Sequence, residues 1–190
     1  MAESISAALR LVTASDSARM LAWRNQPDVA RWMYSDHQIT EDEHAGFMAR
    51  VLTDPSVRYW IVEFEGRPVG LAGLVDISQI HRKATLVHYL ADASVRGVGL
   101  GAFVEAWLLD QTFRVLQLNK LCCEVLLENE GAWRMHVGFG FTREALLRAH
   151  VWKGGEPRDV VALGILASEW AAGRETSVAR LRAKGFEIGD

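Results

Sequence analysis

The sequence predicts an α/β (α+β) fold, with one mixed sheet of about seven strands flanked by about four helices. Stretches whose apolar residues recur at helical spacing alternate along the chain with stretches whose apolar residues alternate at period two. A glycine-rich stretch, VRGVGLGAFVEAW at residues 95–107, stands at a junction between a predicted strand and a predicted helix. Because 49% of the 190 residues are apolar, the chain can build a core of domain size.

The N-terminal part of the chain predicts one strand followed by two helices. Residues 9–12 form the strand, and residues 15–16 supply candidate caps for the first helix. Residues 25–28, which include a proline, end that helix. The second helix begins at residues 40–43, whose sequence TEDE is a capping box, and ends before the Asp-Pro pair at residues 54–55.

The rest of the chain alternates between strands and helices. Strands are predicted at residues 59–65, 69–77, 84–90, 121–127, 146–152 and 160–166. Helices are predicted at residues 100–108 and 130–137. We assign residues 1–167 to one domain, and residues 168–190, which are charged and helix-prone, to an appended helix or a loosely held tail.

The overall composition indicates a small-molecule partner. The net charge is −3, and no window concentrates Lys and Arg, so we expect neither nucleic acid nor a membrane as a partner. Cys122 and Cys123 are adjacent and too few for a zinc site, so we expect no metal and a reduced, cytoplasmic protein. The first residues lack the pattern of an export signal, and no apolar run reaches the roughly 18 residues that a membrane span needs.

The glycine stretch is compatible with more than one kind of site. Gly97, Gly99 and Ala102 match the spacing of a dinucleotide fingerprint, but three predicted strands already precede them and ADASVR separates them from the last one. A P-loop is excluded because no Gly-Lys-Ser/Thr follows. Arg96, Gly99 and Gly101 fit a third design, in which helix-start N–H groups and an arginine hold a pyrophosphate. A plain turn that caps a helix is the remaining alternative.

A second motif downstream favours the pyrophosphate design. Asn129, Ala132, Gly140 and Phe141 stand at the spacing Asn-x-x-Ala-x(7)-Gly-Phe. Together the two motifs resemble those of the GNAT family of acetyl-CoA-dependent N-acetyltransferases, and the resemblance covers about residues 9–166 in the right order of elements. It implies a mostly antiparallel sheet, acetyl-CoA as co-substrate and no metal.

The resemblance also implies how the donor is held. The residues expected to bind the CoA pyrophosphate are Arg96, Gly97, Val98, Gly99, Leu100 and Gly101. The strand edge at residues 88–90 is expected to pair with the pantetheine arm, which Asn129 and Ala132 also contact. Backbone N–H groups near Leu90 and Ala91 are the expected donors to the oxyanion.

Three side chains are candidates for proton transfer. The family usually places a tyrosine at the position of His136 to protonate the leaving sulfur, so His136 is either that acid or only a hydrogen-bond donor. Proton transfer through water, without an essential acid, is also open. Glu124 and His44 are candidate bases for the acceptor ammonium, and Glu124 stands out because a carboxylate buried on an apolar strand needs a purpose or a partner.

The acceptor is indicated by the N-terminal half. Residues 23–37, W-R-N-x-x-x-V-x-x-W-M-Y-S-D-H, and residues 39–47 resemble the sugar-nucleotide acetyltransferases of pseudaminic acid biosynthesis, and residues 148–161 agree with this. The implied acceptor is the free amine of UDP-4-amino-4,6-dideoxy-N-acetyl-altrosamine or a close relative, which attacks acetyl-CoA directly in a ternary complex. The residues expected around it are Arg24 and Lys83 at the phosphates, and Met33, Tyr34, Phe47 and Tyr89 against sugar and base.

Two other functions stay open on the sequence. An N-terminal acetyltransferase of ribosomal proteins would share the W-R-N opening, although it needs an open peptide groove. A non-catalytic CoA-binding module is the other alternative, because the usual tyrosine is replaced by His136. A homodimer is also possible, since the last predicted hairpin could present a sheet edge.

Overall fold

Seven strands form one sheet in the computed structural model, which describes residues 5–189. Their order across the sheet is β1-β2-β3-β4-β5-β7-β6. The strands are β1 (Ala7–Leu11), β2 (Arg58–Phe64), β3 (Arg67–Ser78), β4 (Lys83–Leu90), β5 (Lys120–Leu126), β6 (Thr142–Lys153) and β7 (Glu156–Leu166). All neighbouring strands are antiparallel except β4 and β5, so the predicted mixed, mostly antiparallel sheet is confirmed.

Six α-helices cover the sheet within the described residues, two more than the four expected. They are α1 (Ser17–Arg24), α2 (Pro27–Ala30), α3 (Glu41–Thr53), α4 (Leu100–Asp110), α5 (Glu130–Gly138) and α6 (Ala167–Arg182). The break predicted at residues 25–28 is real, but Pro27 also starts the short α2, because its fixed φ suits a first helical position. None of the helices in residues 5–189 is long and apolar enough to cross a bilayer.

The capping box predicted before α3 is present. The Thr40 hydroxyl accepts a hydrogen bond from the Glu43 N–H at 3.3 Å, and the Glu43 carboxylate accepts one from the Thr40 N–H at 2.8 Å. These two bonds satisfy donors that the first turn of a helix leaves without a partner. The helix therefore starts where the sequence predicts it, and its position fixes one wall of the site described below.

Helices pack on both faces of the sheet. Ile61 and Leu71 belong to a buried cluster with residues of α1 and α3, whereas Trp60 and Ala72 belong to the larger cluster formed with α4 and α6. Successive strand residues point to opposite faces, which explains why neighbours on β2 and β3 join different clusters. The functional elements are thus supported by packed layers on each side.

The C-terminal segment is packed into the larger cluster. The Trp170 side chain is 1% exposed, and its indole N–H donates to an Asp110 Oδ1 at the end of α4, 2.9 Å away. Phe186, beyond α6, stacks on Phe103 of α4 with ring centroids 5.3 Å apart. The described part of residues 168–190 is thus largely helical and packs against α4, while its assignment as an appendage to the domain stays a prediction.

The hairpin of β6 and β7 is longer than the sequence predicts. Both strands extend toward the turn at Gly154 and Gly155, whose positive φ angles of 63° and 76° make it tight. β6 lies at the edge of the sheet, and its Trp152 is largely exposed. The sheet edge anticipated for this hairpin is therefore present, and the homodimer stays a prediction.

Candidate active site

The centre of the sheet opens between β4 and β5. The parallel ladder joins only three pairs, from Lys83 and Lys120 to Thr85 and Cys122. Beyond the third pair the strands separate, and a cavity of about 1100 Å³ lies in and around the gap. A substrate can therefore reach backbone groups of a central strand, which a closed ladder would occupy.

The glycine stretch forms the donor end of this cavity. Gly97 and Gly99 have φ angles of 81° and 99°, which L side chains rarely adopt. Gly99 is the residue before α4, so the first N–H groups of a helix face the cavity beside Gly101. Arg96 also lines the cavity, and its partner is the exposed Asp28 at 3.1 Å, a surface pair that a phosphate can replace. These features fit a pyrophosphate.

Two residues of the glycine stretch contribute only their backbone. The Leu100 side chain is fully buried in the core, and Val98 is partly exposed to solvent outside the cavity. Asn129, the residue before α5, and Ala132 both line the cavity where the CoA arm is expected. Six members of the expected donor set thus line the cavity with their own atoms: Arg96, Gly97, Gly99, Gly101, Asn129 and Ala132.

The backbone at the end of β4 supplies the candidate oxyanion donor. The Ala91 N–H donates to the Val69 carbonyl at 2.8 Å, so this group is already used inside the sheet. Because N–H groups along an antiparallel strand alternate in direction, the Leu90 N–H points away from β3 and into the gap. The expectation that the Ala91 N–H stabilises the oxyanion is therefore wrong, and Leu90 is the candidate oxyanion donor.

The residue at the usual tyrosine position belongs to a buried cluster. His136 lines the cavity, is 4% exposed, and its Nδ1 lies 2.8 Å from Oε1 of Glu105. His88 Nε2 lies 3.3 Å from the other carboxylate oxygen, but the two groups are not aligned for a hydrogen bond. Burial raises the pKa of Glu105, but His136 and His88 lower it more, to about 2. Glu105 was not among the residues expected from the sequence, although a single carboxylate within the apolar stripe of α4 is a usable signal.

The acceptor end of the cavity lies between α1, α3 and β4. Met33, Phe47 and Tyr89 line it, and Arg24 reaches it from α1. Burial lowers the pKa of Arg24 and raises that of Tyr89, and the two groups are close enough to interact. Among the described residues, Arg24 donates to the Ser35 hydroxyl at 2.6 Å and has no carboxylate partner.

Tyr34 and Glu124 meet at the edge of the same region. The Tyr34 hydroxyl donates to Oε2 of Glu124 at 2.9 Å, and His150 Nε2 lies 3.9 Å from that oxygen. Burial raises the pKa of Tyr34, and the bond to Glu124 raises it further. The Glu124 side chain is 44% exposed and lines the cavity, so the argument that its carboxylate is buried is wrong, while its access to an acceptor is better than expected.

Two further candidates are placed differently from expectation. His44 lines the cavity, but its Nε2 hydrogen-bonds the Ser17 carbonyl at 2.8 Å, which ties α3 to α1 and leaves only Nδ1 for chemistry. Lys83 is exposed at the start of β4, at the paired end of the strand and outside the cavity. The expected contact of Lys83 with acceptor phosphates is therefore wrong, because the strand runs from it toward the site.

The tip of the last hairpin holds the acceptor segment in place. Lys153 Nζ donates to the carbonyls of Ala30 and Ser35 at 3.2 and 3.0 Å, and the Gly154 N–H donates to Asp36 Oδ2 at 2.7 Å. Residues 148–161 were associated with the acceptor segment only through the resemblance, which assigned them no role of their own. The hydrogen bonds supply that role, because they fix the loop that carries Met33.

Comparison with known proteins agrees with this geometry. The Acetyltransferase (GNAT) domain model matches residues 7–142. The spermidine N(1)-acetyltransferase of Escherichia coli strain K12 is 28% identical over 152 residues, 80% of this chain and 81% of that protein. The acetyltransferase PseH of Campylobacter jejuni is 28% identical over 120 residues, 63% of this chain and 73% of that protein.

A solved structure shows the same fold. The spermidine N-acetyltransferase of Vibrio cholerae in complex with CoA and spermine superposes with a TM-score of 0.81 at 24% identity, covering 87% of this chain and 98% of that one. The resemblance inferred from residues 96–101 and 129–141 is confirmed at the level of the family, whose acetyl donor is acetyl-CoA. The chain belongs to the GNAT family and is an acetyl-CoA-dependent N-acetyltransferase.

Proposed function

We propose that the enzyme acetylates the free amine of a nucleotide-linked amino sugar, UDP-4-amino-4,6-dideoxy-N-acetyl-altrosamine or a close relative. The observation that carries this proposal is Arg24, a half-buried cation at the acceptor end whose described partners include no carboxylate. A phosphate gives such a guanidinium a charge-assisted partner. The partial match to PseH supports the same acceptor class.

The walls of the acceptor end suit a sugar and a base. Met33, Phe47 and Tyr89 form an apolar and aromatic surface next to Arg24. Aromatic side chains stack on nucleobases with a gain of about 1–3 kcal/mol per base. A phosphate on Arg24 therefore places the flanking sugar and base against groups that can bind them.

A polyamine is the second candidate acceptor, because relatives that match over four fifths of their length are named spermidine acetyltransferases. Spermidine is a polycation and needs free carboxylates. Among the acids lining the cavity, Glu43 is bonded to Thr40 and His37, whereas Asp28 becomes free when a phosphate takes Arg96, and Glu124 stays accessible while it accepts one hydrogen bond from Tyr34. The carboxylates therefore do not decide between the two acceptors, and the decision rests on Arg24. Because the Arg24 charge has no carboxylate partner among the described residues, it repels a polycation, and we rank the anionic acceptor first.

The proposed chemistry is direct attack in a ternary complex. The amine nitrogen bonds to the thioester carbon while the Leu90 N–H, which faces the gap, stabilises the oxyanion. Glu124 takes the proton of the acceptor ammonium, directly or through water, because its carboxylate is accessible at the acceptor end. The carbon–sulfur bond breaks, and His136 protonates the leaving thiolate.

Replacing Arg24 by Met tests the acceptor assignment. The loss of one charge-assisted contact, worth about 1.5–3 kcal/mol, raises KM for the nucleotide-linked amino sugar by roughly tenfold or more, whereas KM for spermidine stays equal or falls. Arg19→Met is the matched control, since Arg19 is a cation of the same helix that pairs with Asp16 outside the cavity. An unchanged KM for the amino sugar in Arg24→Met would remove the main support for this acceptor.

A further inference from the structure

The carboxylate of Glu105 is the least accessible charged group next to the reaction centre. It is 0% exposed, and both of its oxygens face imidazoles: Oε1 lies 2.8 Å from His136 Nδ1, and Oε2 lies 3.3 Å from His88 Nε2. A buried carboxylate is strongly unfavourable unless it is paired. Its position on α4, a helix otherwise buried through apolar residues, is therefore not explained by packing.

The contact with Glu105 determines which nitrogen of His136 carries the inward proton. The lowered pKa of Glu105 keeps its carboxylate ionised at neutral pH, so its oxygens only accept hydrogen bonds. His136 Nδ1 must then be the donor across the 2.8 Å contact. The other nitrogen, Nε2, lies on the far side of the ring and is the atom left to exchange a proton.

We propose that Glu105 is a positioning residue: it accepts the Nδ1–H of His136 and so fixes the orientation of the ring, and the imidazolium form of His136 then delivers its Nε2 proton to the leaving thiolate. This rests on the acetyl transfer described above. As the amine–carbon bond forms and the carbon–sulfur bond breaks, the Nε2 proton moves to sulfur and its bonding electrons stay on the imidazole. The acceptor ammonium loses one proton to Glu124 or water before attack and a second one to the same groups as the amide forms, and one proton from solvent restores His136. The net products are the acetylated amine and the CoA thiol.

The groups around the pair leave Glu105 as the charge that acts on His136. His88 on β4 and Cys123 on β5 both face the Glu105 carboxylate. Glu124 follows Cys123 on the same strand. Burial raises the pKa of Cys123, so this thiol is neutral at physiological pH. Among the described residues, the pair Glu105 and His136 thus joins a fixed anion to the side chain at the family's acid position.

The first test needs no acceptor. Long-range ¹H–¹⁵N spectra of the uniformly ¹⁵N-labelled protein at neutral pH should show the proton of His136 on Nδ1, with Nε2 as the nitrogen whose shift changes on titration. The spectra are recorded with a chelator present. A proton on Nε2 with a bare Nδ1 overturns the proposal. The wrong acceptor cannot affect this result.

The second test is a double-mutant cycle, followed with whichever amine supports turnover. Glu105→Gln should lower kcat by about tenfold or more with KM for acetyl-CoA within about threefold, and should move the alkaline limb of the kcat profile to lower pH, because the anion beside the imidazole is lost. In a His136→Phe background the same change should alter kcat by less than about twofold. An equal loss in both backgrounds shows a purely structural role and overturns the proposal.

Asp16→Asn is the matched control for removing a buried, paired carboxylate. Asp16 is 1% exposed and bound by Arg10, but it lies outside the cavity. It should lower the melting temperature without moving the pH profile of kcat. If Asp16→Asn moves that profile as Glu105→Gln does, the profile reports stability rather than positioning, and the proposal fails.

Discussion

Replacing Gly99 by Ala tests whether the backbone of the donor loop is what binds CoA. Gly99 has a φ of 99°, and an alanine Cβ would lie 3.2 Å from Phe186 Cε2 and 3.3 Å from Lys184 Cδ. The left-handed backbone costs an L residue about 1–2 kcal/mol, and the two tight contacts require shifts of a few tenths of an ångström. We therefore expect the variant either to lose about 1–3 kcal/mol of unfolding free energy or to relieve the strain by rotating the loop.

Thermal unfolding and calorimetric titration with CoA separate these outcomes. For a chain of this size each kcal/mol lowers the melting temperature by roughly 2–4 °C, and a rotated loop weakens CoA binding by about tenfold for each 1.4 kcal/mol. Gly173→Ala is the control, because Gly173 lies inside α6, outside the cavity, and its added Cβ meets nothing within 4 Å. If Gly99→Ala binds CoA like the wild type and melts within about 1 °C of it, or if both variants lose equally, the reasoning is refuted.

Three further predictions follow from the site and its supports. His136→Phe should lower kcat by about 100-fold; turnover within twofold of wild type from pH 6 to 9 would remove its role as acid. Arg96→Ala should raise KM for acetyl-CoA in initial-rate assays, and an unchanged KM would contradict the phosphate role. Arg10 lowers the folded-state pKa of Asp16, so this ion pair stabilises fully above about pH 4 and its contribution is lost as the pH falls further. Urea titrations should show Asp16→Asn less stable by about 2 kcal/mol at pH 7, with a difference that shrinks toward pH 2; a constant difference would disprove the linkage.

The donor site could be predicted from the sequence because its signals are local. Gly97 and Gly99 are glycines because their backbones are left-handed, and the motif at Asn129 and Ala132 begins a helix that lines the same cavity. Spacing along the chain records both facts directly. The capping box at residues 40–43 was visible for the same reason.

The parts that sequence reasoning missed depend on contacts between distant segments. Glu105 meets His136 across 31 positions, and Lys153 meets Ser35 across 118. The role expected for Lys83 was wrong because the sequence places this residue on a strand but does not show which end of the strand faces the gap. The burial assigned to Glu124 was wrong because the strand separates from its neighbour at that point, which the apolar sequence around it does not reveal.

The most direct test of the account compares acceptors under one set of conditions. Purified enzyme is given acetyl-CoA with UDP-4-amino-4,6-dideoxy-N-acetyl-altrosamine, with spermidine or with a panel of N-terminal peptides, and release of free thiol is followed. The account predicts that kcat/KM for the nucleotide-linked amino sugar exceeds that for spermidine and for every peptide by about 100-fold or more. The reason is that the half-buried Arg24 gains a phosphate partner in the first complex and none in the others. Equal or faster turnover of spermidine or of a peptide would contradict it.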